Sequence, residues 1–62
     1  MTTTAAELGS IVTQIGDLAD RLSRAGDDFN RTPTEDVATA LYEAERALRT
    51  AVRSTERAAN AM

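Results

Sequence analysis

The run Asp28-Phe29-Asn30-Arg31-Thr32 places oxygen-bearing side chains at alternate positions, as the start of a calcium loop does. Such a loop goes on to need Gly at its sharp turn and a bidentate Glu at its end. Pro33 and Thr39 stand at those places, so no metal site is expected. Arg46, Arg49, Arg53 and Arg57 form a second stretch with chemical potential, since guanidinium groups grip phosphates and carboxylates. Glu43 and Glu56 interrupt it, and no aromatic residue is interleaved to stack on bases. Cations in the second half of a helix also suit the helix dipole. A solvated face is the expectation, and no nucleic-acid partner is favoured.

The chain has no His and no Cys. That removes the commonest zinc ligands, the commonest general base and any disulfide. No Ser, Thr or acidic cluster has a base beside it, so nucleophilic catalysis lacks its parts. Carboxylates scattered over helix faces do not make a glycosidase pair. The sequence therefore reads as a non-enzymatic protein with no cofactor and no small-molecule substrate.

Sixty-two residues with a net charge of −3 make one domain at most. A chain this short is marginal alone and is usually rescued by disulfides, metal or oligomerisation. Only oligomerisation remains. All seven basic residues are Arg, a bias that fits a GC-rich coding sequence. The longest apolar run, Ala40-Leu41-Tyr42, is three residues, so neither a membrane span nor a signal-peptide core is expected. With no basic region after Met1, the expected location is the cytoplasm, and export that needs no cleaved signal stays open.

Two helices must carry these residues. Thr4-Ala5-Ala6-Glu7 fits a capping box. Thr32-Pro33-Thr34-Glu35 fits another, with Pro at the first helical position. Gly26 reads as the stop of the first helix, and Asp27, Asp28 and Asn30 as turn formers. The expected fold is all-α, an antiparallel two-helix hairpin of residues 4–25 and 33–60, with an extension of the first helix to Asn30 left open. The second helix would run about 40 Å at 1.5 Å per residue. A turn from Gly26 to Thr32 would set Leu8 beside Ala51, leaving Ala58, Ala59 and Met62 overhanging.

Each helix carries two adjacent seams at intervals of three and four. On the first, Leu8, Ile11, Ile15, Leu18, Leu22, Ala25 and Phe29 form a large seam. Ala5, Gly9, Val12, Gly16, Ala19, Ser23 and Gly26 form a small one. On the second, the larger seam is Val37, Leu41, Leu48, Val52, Thr55, Ala59 and Met62, interrupted by Glu45. Its small seam is Ala40, Ala44, Ala47, Ala51, Ser54, Ala58 and Ala61. Two seams make a stripe wide enough for two neighbours, whereas a hairpin supplies one. Two hairpins closing into a four-helix bundle supply both. The large seams would drive this homodimer and the small seams would set its spacing. Docking on a different helical protein, as an accessory or regulatory subunit, is the alternative.

Among single residues, Phe29 either plugs the bundle end or serves as a docking anchor. Tyr42 is expected at the seam edge with its hydroxyl in water. Thr55 can bond the carbonyl of the preceding turn. Glu45 can reach Arg49 or an Arg of another chain. Asp17 with Arg21, Asp20 with Arg24 and Glu45 with Arg49 are spaced as surface pairs along a helix. In outline the chain resembles the small helical-hairpin proteins exported by type VII secretion in actinobacteria. Those carry Trp-x-Gly at the turn, and this chain has no Trp. Their export signal puts an acid four residues after a Tyr, where this chain has Arg46 after Tyr42. The resemblance covers architecture alone, and no family follows from it.

Overall fold

The computed structural model describes residues 2–30 and 33–62. The first helix, α1, spans Ala5–Phe29, and the second, α2, spans Glu35–Asn60. The expected all-α hairpin is therefore the fold. At the start of α1, Thr4 is the N-cap in extended conformation, and its Oγ1 accepts the Glu7 amide at 3.1 Å. That bond satisfies one of the amides a helix start leaves without a partner.

α1 does not stop at Gly26 but takes the longer course that the sequence left open, continuing to Phe29 with Asn30 as its cap. No described glycine has a positive φ. Gly26 serves contact instead. A Cβ there would lie 2.7 Å from Cε1 of Tyr42, so only a residue without one lets the Tyr42 ring lie against α1. The helix closes at Asn30, whose amide donates to the Asp27 carbonyl at 3.3 Å.

α2 also starts later than expected. Pro33 lies in the turn, and Thr34 is the N-cap. Thr34 has φ −100° and ψ 38°, outside the helical well, so the regular helix begins one residue on. The amides of Val37 and Ala38 donate to its carbonyl at 3.0 and 3.4 Å. Glu35 and Asp36 in the first turn and Arg57 in the last match the helix dipole. The Thr32 end of the expected capping box, and with it part of the calcium-like run, lies outside the described residues.

Three cross-helix contacts fix the register: Gly26 with Tyr42, Asp27 with Tyr42, and Asp20 with Arg49. Carried along two antiparallel helices of equal rise, this register sets Leu8 beside Ala61, not Ala51. The longer α1 and the later start of α2 both move the register in this direction. The expected overhang at the C-terminal end of α2 disappears with it, because α1 reaches the level of Ala61 at Leu8. Ala59 is half-buried, while Ala58 and Met62 stay exposed.

The molecule measures 48 × 16 × 14 Å. Its fully buried apolar residues are Ala19 and Ala38, and no larger side chain among the described residues is fully buried. Ala19, Gly26 and half-buried Val12, spaced by seven, bring the small seam of α1 inward. On α2, Ala38 is buried, and Leu41, Leu48, Val52 and Ala59 are half-buried. The most buried positions of α1 thus fall on its small seam and those of α2 along its larger seam, while the large seam of α1 and the small seam of α2 are half-buried to exposed.

Candidate functional site

The hairpin has two broad faces of different chemistry. On one, residues flanking the inner column are polar and bridge the helices. Tyr42 Oη donates to Asp27 Oδ1 at 2.6 Å. That hydrogen bond to a carboxylate, then partial burial, then the nearby charges of Asp27 and Glu45, raises the Tyr42 pKa above its ordinary 10.0. Arg49 donates from Nε to Glu45 Oε2 at 2.8 Å and from Nη2 to Asp20 Oδ1 at 2.9 Å. The hydrogen bonds to Asp20 and Glu45 hold its pKa above the ordinary arginine value. Asp20 therefore pairs across the hairpin, where the sequence spacing suggested Arg24. Glu45, the polar interruption of the larger seam, is held within its own chain.

A shallow depression of about 310 Å³ on this face is lined by Tyr42, Glu45, Arg46, Arg49 and Arg53. Its guanidinium groups are largely engaged. Arg49 has two carboxylates, and Arg53 Nη2 bonds Thr50 Oγ1 at 3.2 Å. Further along, Arg57 Nη2 bonds Ser54 Oγ at 3.1 Å. Of the strip of arginines read from the sequence, Arg49, Arg53 and Arg57 are thus held by partners within the chain. Thr55 bonds the Ala51 carbonyl at 2.8 Å, as its place in the seam suggested. Among the described residues, no group of three or more His, Cys, Asp or Glu is placed to hold a metal ion.

The opposite face is apolar. A trough of about 380 Å³ runs between the helices, lined by Leu18, Arg21, Leu22, Ala25 and Leu48. Along it Ile11 and Leu18 of α1 are 41% and 47% exposed, and Val37 of α2 is 41% exposed. Leu8, Ile15 and Leu22 are half-buried beside them. Phe29 ends the stripe at the turn, 38% exposed, and Met62 lies at the other end, 70% exposed. Ala44 and Ala51, one turn on either side of Leu48, are half-buried. Ala40, Ala47 and Ala58 continue outward as an exposed alanine edge.

The large seam of α1 and the small seam of α2 thus share one side of the molecule. The small seam of α1 is divided. Val12, Ala19 and Gly26 pack inward, whereas Ala5 and Gly9 are exposed. A Cβ at Gly9 or Gly16 would meet nothing within 4 Å, so the hairpin itself does not require glycine there. The cross-helix partners of Tyr42 and Arg49 were not legible in the sequence. Their signal was the register, which the reading of Gly26 as a stop concealed.

No described helix is long and apolar enough to cross a membrane. No family model matches the chain, and no curated protein or solved structure matches it either.

Proposed function

We propose that this chain is a non-enzymatic assembly module that pairs with a second copy of itself, apolar face to apolar face, as a four-helix bundle. One observation carries the reading. Among the described residues, the fully buried apolar side chains are Ala19 and Ala38, while Ile11, Leu18 and Val37 remain two-fifths exposed or more. Burial of large side chains is the main force holding a small domain together, at about 1.5–3 kcal/mol for each. A second hairpin over the trough supplies that burial without rearranging the first. The two larger extents of the molecule, 48 and 16 Å, allow one broad side to offer an interface near the roughly 800 Å² per partner of a stable complex. The polar face, closed by pairs within the chain, stays in water, and the cytoplasm is the setting this reading assumes.

Thermal melting followed by circular dichroism tests it. A dimer that folds as it assembles melts at a higher temperature as its concentration rises. Leu18→Asp puts a charge in the middle of the trough and should weaken association by about tenfold or more, the effect of losing one buried anchor worth about 1.4 kcal/mol or more. A melting temperature independent of concentration, and unmoved by Leu18→Asp, would contradict the proposal. A wild-type chain with little helicity alone would transfer the trough to a different helical protein.

A further inference from the structure

Two hairpins stacked face to face have two twofold arrangements. A twofold along the hairpin sets α1 of each copy on α2 of the other, with both turns at one end. A twofold across it sets like helix on like helix, with the turns at opposite ends. We infer that the copies pair about the lengthwise twofold, a step that rests on the self-association proposed above.

Side-chain size carries the choice. Residues seven apart form a column along a helix. The outward column of α1 on the apolar face is Ile11, Leu18 and Ala25, and that of α2 is Ala44, Ala51 and Ala58. The register fixed by Asp20–Arg49 and Asp27–Tyr42 puts Leu18 at the level of Ala51 and Ile11 at the level of Ala58. A lengthwise twofold keeps levels, so Leu18 of one copy meets Ala51 of the other and Ile11 meets Ala58. Large then faces small at each of these levels, the pattern that lets layers interdigitate at even helix spacing. At the turn end both columns hold alanine, Ala25 and Ala44, and Phe29 supplies bulk there. A crosswise twofold sets the alanine column of α2 on itself and the Ile11–Leu18 column on itself. One helix pair would have to close in while the other was held apart.

The rims agree. Gln14 and Arg21 lie seven apart on the solvent edge of α1, and Arg21 already lines the trough. The corresponding edge of α2 is Ala47 and Ser54, both exposed. The lengthwise twofold brings Arg21 beside Ala47 and Gln14 beside Ser54. Long side chains then lay their aliphatic stems over a bare small-residue edge while their polar ends stay wet.

The absence of cysteine makes the test direct. Leu18→Cys and Ala51→Cys chains, refolded together and oxidised, should yield a mixed disulfide dimer, identified by mass. Leu18→Cys alone should not link to itself, because a disulfide needs Cα atoms within about 7 Å and the lengthwise twofold sets the two copies of residue 18 diagonally across the bundle. Self-linked Leu18→Cys dimers, or a mixture that stays unlinked, would overturn the arrangement while sedimentation still reports a dimer. A monomer by sedimentation would instead overturn the self-association on which it rests.

Discussion

The Tyr42 hydroxyl shows how one side chain can be read correctly in place and wrongly in partner. It lies at the seam edge, as its spacing suggests, yet its proton goes to Asp27 across the hairpin at 2.6 Å, not to water. The phenol pKa is raised in the folded chain, first by that bond, so its stabilisation is present below the ordinary 10.0 and fades as pH climbs through the folded value. Ultraviolet titration of the native protein should show tyrosinate forming above pH 10.0. Stability in urea should fall more steeply over that range than in Tyr42→Phe, which has no proton to lose. A titration at the ordinary value, with parallel stability curves for the two proteins, would place the hydroxyl in water.

At the scale of the element, the seams, the Thr4 cap and the hairpin itself were legible because they rest on local rules. Spacing at three and four residues marks a helix face, and Thr followed by Glu three residues later marks its start. The end of α1 was left between two readings, a stop at Gly26 and an extension to Asn30, and the structure takes the second. Glycine near a predicted terminus signals either a left-handed cap or a close approach by another element, and only the position of Tyr42 decides between them. The misplaced end moved the register and hid the Asp20–Arg49 bridge with it. The glycines give a paired test by urea unfolding. Gly16→Ala should stabilise by up to about 1 kcal/mol, the helix propensity gained where a Cβ meets nothing. Gly26→Ala should destabilise by about 1–3 kcal/mol despite the same propensity gain, because the Tyr42 ring must swing away from Asp27. Equal effects at the two sites would mean that Gly26 is not the point of contact.

For the whole molecule, the faces matter more than any residue. Wide apolar stripes were visible in the sequence as paired seams, and a second neighbour for each helix is the expectation drawn from them. Which seam meets the sister helix was not visible, since period alone gives the angle between two seams and not the direction of the neighbour. The contacts answer it: Ala19 and Gly26 face α2, and Ile11 and Leu18 face away beside an alanine edge. One side of the hairpin is closed by its own polar pairs. The other carries the trough between Leu18, Leu22 and Leu48, which the proposed pairing with a second copy would turn into half of an interior.

Sedimentation equilibrium over a wide concentration range, with circular dichroism on the same samples, tests that statement most directly. A helical species of twice the chain mass, dissociating on dilution with loss of helicity, is the expected result. A chain that stays monomeric and fully helical at every concentration would contradict it, because the single hairpin would then be stable with its apolar face in water.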